Sequence, residues 1–210
     1  MKTSTALIIF ALGTIAMMAF YSYEIPLFIV LGIGSIAALA IDKWKNLKRF
    51  LIALVVGGIC ENTAVALGAW NYTNAAFIFT PLWLPVGWGM STILLEEAFS
   101  KDVPAKFSKR AIALAFGGTL LVGINASHEF FILGCFAFVT IALFALKYYK
   151  MTEIRIGIMA AIFGTVMESV CIISGNWQYS AAMFWTPLWL PLCWFNAFLI
   201  MRRVIRIGEK

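Results

Sequence analysis

The hexapeptide TPLWLP occupies Thr80–Pro85 and recurs at Thr186–Pro191 in a chain of 210 residues. Working outward, the likeness continues. Glu61 matches Glu168, Trp70 matches Trp177 and Tyr72 matches Tyr179, each at an offset of 107 (168 − 61). Gly57/Gly164, Gly68/Gly175 and Phe77/Phe184 keep that offset. After a one-residue gap, TPLWLP and then Trp88/Trp194 match at 106. The shared pattern is G-x3-E-x6-G-x-W-x-Y, a short uncharged loop, then T-P-L-W-L-P-x2-W. It reads as an internal duplication of residues 1–105 and 106–210 within one membrane domain.

The chain is 62% hydrophobic and 12% charged, with a mean hydropathy of +0.92. A soluble domain is about half apolar and roughly one-quarter charged. The expected fold is therefore all-α, a polytopic membrane helix bundle. Segments of about 20 apolar residues read as spanning helices. Eight fit, near 4–22, 25–42, 50–70, 81–99, 110–125, 129–147, 154–175 and 186–203. The first lacks an Ala-x-Ala cleavage pattern, so it reads as a helix and not a leader. Four helices per half return the chain to its starting side, which makes the duplication a parallel 4+4 repeat. In such repeats a site commonly lies between the halves.

The 16 Lys and Arg fall at the two termini or in Lys43–Arg49, Lys101–Arg110 and Lys147–Arg155. With eight spans these lie on one side. The positive-inside rule makes that side cytoplasmic, so both termini are expected inside, in the inner membrane. The opposite connections carry no Lys or Arg. The net charge of +6 then reports topology. No clustered basic face points to nucleic acid. The expected partners are a lipid-like substrate and membrane lipids.

Glu61 and Glu168 are the candidate acids. Both fall near the middle of a predicted span, where a carboxylate costs several kcal/mol and defaults to a functional hypothesis. Gly57, Glu61 and Gly68 share one helix face, as do Gly164, Glu168 and Gly175. The competing role is a hydrogen bond that fixes the bundle. Trp70, Tyr72, Trp83, Trp177, Tyr179 and Trp189 gather toward the outer ends, where aromatic belts also form. Trp88 and Trp194 lie two turns inside their helices, where a π-face can stabilise a cation. Asn62, Ser169 and Asn196 are polar candidates for orienting an acid or a water. Glu96 and Glu97 read as snorkelling groups or partners of Lys101, and His128 as a loop residue. Cys60, Cys135, Cys171 and Cys193 show no metal or disulfide spacing. No HExxH, P-loop or GxSxG sequence occurs.

The series Glu61-x6-Gly68-x-Trp70-x-Tyr72 followed by Pro81-x-Trp83-Leu84-Pro85-x2-Trp88, matched in the second half, resembles the integral-membrane carotenoid hydratases. It also resembles the small membrane lycopene cyclases and, more distantly, membrane terpene cyclases with an acid in each half. The cyclases' Pro-x-Glu-Glu is not matched at Leu94–Glu97, which brings the hydratases nearer. The resemblance covers helices three, four, seven and eight. It implies cofactor-independent chemistry on an isoprenoid or carotenoid. A buried acid protonates a double bond, aromatic faces hold the cation, and water or an internal alkene quenches it. Glu61 and Glu168 would be donor and partner base. The same cavity also suits a transporter or binding protein for a small apolar or cationic solute.

Overall fold

The computed structural model describes residues 1–76, 78–100, 103, 105–180, 182 and 184–209. Phe77 of the Phe77/Phe184 pair and Lys101 lie outside the described residues. Among the described residues, eight α-helices run in chain order: α1 Thr3–Phe20, α2 Glu24–Ile41, α3 Leu47–Ala66, α4 Leu84–Phe99, α5 Lys109–Ile124, α6 Glu129–Ala145, α7 Ile154–Ile173 and α8 Leu190–Val204. A 3-10 turn, Met151–Glu153, leads into α7. The expected all-α class needs one correction, because two short strands, β1 Trp70–Tyr72 and β2 Trp177–Tyr179, pair antiparallel.

α1, α2, α3 and the segment Met151–Ile173 are long and apolar enough to cross a membrane. α4, α5, α6 and α8 are shorter, at 16, 16, 17 and 15 residues. Large apolar side chains face outward on the peripheral helices, among them Ile8, Leu12, Ile29, Ile33, Phe138 and Ile141. Such a surface is costly in water and suited to lipid.

α4 and α8 touch at the centre. α3 packs along α4 and α7 along α8, while α1 and α2 cover α4 and α5 and α6 cover α8. α1 also reaches α7, and α5 reaches α3. Glycine permits the tight α3–α4 and α7–α8 approaches. A Cβ on Gly89 would meet the Phe50 ring at 2.7 Å. In the second pair the roles are exchanged: the glycine, Gly157, is on α7 and the ring, Phe195, is on α8.

The ends of α3 and α7 explain the strands. Gly68 and Gly175 have φ of +86° and +85°, a conformation glycine adopts without a Cβ penalty. Each closes its helix the same way. Gly68 N–H donates to Val65 O and Ala69 N–H to Ala64 O, at 2.9 and 3.0 Å; Gly175 to Ile172 and Asn176 to Cys171 repeat those distances. This helix stop reverses the chain. The next residues pair Trp70 with Tyr179, Asn71 with Gln178 and Tyr72 with Trp177. Thr73 N–H to Asn176 O at 3.0 Å and Ser180 N–H to Ala69 O at 3.1 Å flank the ladder.

The TPLWLP segments are helix entrances, but α4 and α8 begin later than expected. Pro81 and Pro187 form turns in which Leu84 and Leu190 donate back to their carbonyls at 3.1 Å. Pro85 and Pro191 occupy the first helical turn, where a missing N–H costs nothing.

Candidate functional site

Strand alternation decides what the G-x-W-x-Y sequence does. Residues i and i+2 share a face. Trp70 and Tyr72, with Trp177 and Tyr179, therefore turn into the bundle, while Asn71 and Gln178 are exposed. The strand pair is a lid whose four aromatic side chains line a cavity of about 120 Å³. Glu61 and Glu168 line the same cavity, together with Trp83, Trp88, Trp189 and Trp194. Eight of the ten candidate binding residues, all but Asn62 and Asn196, thus meet both acids around one space.

Each glutamate is the fifteenth residue of its 20-residue helix. The expected mid-helix position is corrected: each acid lies five residues from the helix end, roughly 7.5 Å along the axis. That offset puts it within reach of the lid. The Tyr72 hydroxyl donates to Glu61 Oε2 at 3.0 Å, and Trp88 Nε1–H donates to Glu61 Oε1 at 3.1 Å. In the second half the Tyr179 hydroxyl donates to Glu168 Oε2, and Trp194 Nε1–H to Glu168 Oε1 at 2.6 Å. Both carboxyl groups are held by neutral donors. Neither cavity-facing acid has an ion pair among the described residues.

The small residue four positions before each acid has a specific use. The Trp88 side chain lies against Gly57, where an added Cβ would come within 2.7 Å of its Cβ and Cδ2; Trp194 lies against Gly164 in the same way. The two indoles then stack on each other, centroids 5.5 Å apart and planes 18° from parallel. Around them the remaining rings meet edge-on or tilted: Trp70–Tyr179 at 5.3 Å, Tyr72–Trp177 at 5.4 Å, Tyr72–Trp83 at 6.5 Å and Tyr179–Trp189 at 5.5 Å. This geometry surrounds a small apolar space with π-faces and two carboxyl groups.

Three polar candidates sit elsewhere. Asn62 is tied into the scaffold, donating to Gly58 O at 2.9 Å and Thr80 Oγ1 at 3.0 Å and accepting from Phe79 N–H at 3.1 Å. It borders neither cavity described here, because the loop before Pro81 captures its amide. Ser169 donates to Thr165 O within α7. Asn196 lines a second cavity. Its amide is satisfied there by the Tyr149 hydroxyl at 3.2 Å, Thr140 Oγ1 at 2.7 Å and Leu192 O at 2.8 Å.

Glu96 departs most from expectation. It is 6% exposed and does not snorkel. It accepts from Arg202 Nε at 2.7 Å and Arg206 Nη2 at 2.5 Å. Glu153 accepts from Arg202 at 3.3 Å and Arg203 at 2.7 Å. This charge cluster lies at the end of the bundle away from the lid. Glu97 meets the N-terminal amine at 3.4 Å and Asn46 at 3.1 Å.

Two positioning residues have no place in the sequence reading. Glu24 opens α2 and accepts from Leu82 N–H at 2.5 Å; Glu129 opens α6 and accepts from Leu188 N–H. Each pins the middle of a TPLWLP segment. The available signal was an acid in the first turn of each second helix, at an offset of 105.

Among the described residues, no three His, Cys, Asp or Glu side chains gather as a metal site. The protein-family models searched give no match to this chain, and neither the curated proteins nor the solved structures contain a significant match.

Proposed function

We propose that the chain is an eight-span membrane protein of the inner membrane, built as a parallel 4+4 repeat with both termini cytoplasmic, that performs acid-catalysed chemistry on an isoprenoid or carotenoid double bond. The repeat is supported by geometry. Antiparallel β1 and β2 and the stacked Trp88–Trp194 pair are the contacts a twofold axis between the halves produces. The shorter helices α4 and α8 are completed on one side by the non-helical TPLWLP entrances. Non-helical backbone at such a depth is tolerated where it lines a protein cavity.

The observation that carries the chemistry is a pair of carboxyl groups, held among the described residues by hydroxyl and indole N–H donors, in one aromatic cavity. A carboxylic acid in such surroundings is a proton donor without a competing cation. One glutamate transfers its proton to an alkene carbon and is left as carboxylate. The positive charge settles on the more substituted neighbouring carbon, where indole and phenol faces stabilise it. In hydration, water oxygen bonds to that carbon and the second glutamate takes the released proton. In cyclisation, an internal alkene attacks the carbon, and the second glutamate takes a proton from the carbon next to the new cationic centre, leaving a double bond. The two acids exchange states in each turnover.

Among the described residues, the cavity lining contains no Lys or Arg. A prenyl diphosphate would find no counter-ion there and two acids beside it. The substrate class is therefore an uncharged isoprenoid. The test is mass spectrometry of lipid extracts from cells expressing wild type, Glu61→Gln or Glu168→Gln. A polyprenyl or carotenoid species shifted by the mass of water, or an isomer of unchanged mass, present only with wild type, supports the reading. Identical lipids with all three well expressed refute it.

A second reading is transport of a small apolar or cationic solute. What favours it is the share of the cavity wall, Trp70, Tyr72 and Trp83, that comes from non-helical segments, as in many transporters.

A further inference from the structure

A second cavity, of about 250 Å³, adjoins the first. Six residues border both: Glu61, Trp70, Trp88, Trp189, Cys193 and Ala197. Glu168 borders the first alone. The second cavity runs between α3, α5, α6 and α8. Its space comes from small residues of α5, where Gly117 has no atom within 4 Å of an added Cβ and Gly118 only the Phe136 ring, at 4.0 Å. Its far-end polar group, Asn196, is already satisfied within the protein.

Trp189, which borders both cavities, carries an unmet donor. Trp189 is 3% exposed, and its Nε1–H is buried without an acceptor among the described residues. A buried indole N–H ordinarily finds a partner. An oxygen atom at the junction would supply one.

We infer that the two cavities form one elongated site, in which the second receives the apolar tail of an isoprenoid whose reacting end and oxygen atom lie at the junction beside Glu61 and Trp189. This rests on the isoprenoid reading above and extends it. It makes the halves unequal: Glu61 faces both the reacting end and the tail, whereas Glu168 faces the reacting end. The small side chains of α5 then measure tail length, and the ligand is a prenyl chain longer than the first cavity holds.

The test compares binding of geraniol, farnesol and geranylgeraniol to the purified full chain by native mass spectrometry. Wild type is compared with Gly117→Leu and Gly118→Leu. Leucine is a better helix former than glycine, and two variants guard against one misfolding; thermal midpoints check both. The expected result is unchanged affinity for geraniol and an affinity for the two longer alcohols lowered on the order of tenfold, the effect of losing burial of about two methylenes. An equal fall for all three alcohols, or no fall for any, overturns the tail site while leaving the acid chemistry standing. Loss of a co-purifying phospholipid with unchanged prenol affinities also overturns it, and gives the space to a bilayer acyl chain. If no prenyl alcohol binds wild type, the tail site and the isoprenoid reading fall together.

Discussion

Two pairs of glutamates stand at opposite ends of the bundle, and they are partnered by opposite chemistry. Glu96 and Glu153 are 6% and 2% exposed and meet Arg202, Arg203 and Arg206. Glu61 and Glu168 are half-buried against a cavity and meet hydroxyl and indole donors, Tyr72 and Trp88 in one half and Tyr179 and Trp194 in the other. The first pair is consumed by its partners. Every carboxylate oxygen there has a guanidinium, so the group is taken up in holding helix ends together. The second pair keeps an open side. Burial alone therefore does not mark an acid as functional; the charge of its neighbours and its access to a cavity do.

The comparison breaks first at the charged end. Arg202→Ala leaves Glu96 and Glu153 short of their shared guanidinium, and removing one partner of a buried ion pair costs about 3–5 kcal/mol. Thermal unfolding in detergent should show that loss, and an unchanged midpoint would mean the cluster does not hold α4, α7 and α8 together. Glu61→Gln and Glu168→Gln should stay near the wild-type midpoint, since the amide oxygen can accept from the indole N–H and the amide NH2 can donate to the tyrosine hydroxyl oxygen.

Next in size is Gly164→Ala. The new methyl must displace the Trp194 ring from its seat on α7, and overpacking of this kind costs about 1–3 kcal/mol. It should also lower conversion by moving the indole N–H from Glu168. Gly134→Ala, with nothing within 4 Å of the added Cβ, is the control and should be neutral or stabilising. Equal effects from the two would show that the Gly–Trp contact is incidental.

Tyr72→Phe and Tyr179→Phe each remove one neutral donor, worth about 1 kcal/mol. Both should slow conversion more than they shift the midpoint; full activity in both would detach the lid from the chemistry.

The smallest effect is at Glu209, which the Arg49 guanidinium holds below the usual carboxylate range. A lowered folded value means its contribution is present above the ordinary carboxyl range and is lost as pH falls. Glu209→Gln should cost about 0.5 kcal/mol or less at pH 7, and the difference from wild type should shrink as pH falls through the ordinary carboxyl range and vanish only below the lowered value of Glu209 itself. A difference that persists in acid would rule out the ion pair as its source.

Helix number, order and the pairing of Glu61 with Glu168 could be read from hydropathy and the 107-residue offset, because apolar length and duplication are local patterns. The strands could not. Their three residues pair across halves, and no local pattern carries a partner 107 residues away. The same limit hid the Glu96–Arg202 pair, in which residues of α4 and α8 meet although neither sequence neighbourhood names the other. Asn62 was misplaced for a related reason: its position on α3 is near Glu61, but the 78–80 loop reaches it first. The roles of Gly57 and Gly164 were half legible, as close-approach sites without the tryptophans that fill them.

The most direct test of the central claim is deuterium transfer. Purified protein in liposomes is supplied with neutral lipids extracted from the expressing cells and incubated in D2O. If Glu61 and Glu168 protonate an alkene, wild type places one non-exchangeable deuterium on carbon in an isoprenoid product, and Glu61→Gln and Glu168→Gln place none. No carbon-bound deuterium with wild type, or the same label with both glutamines, would contradict the account.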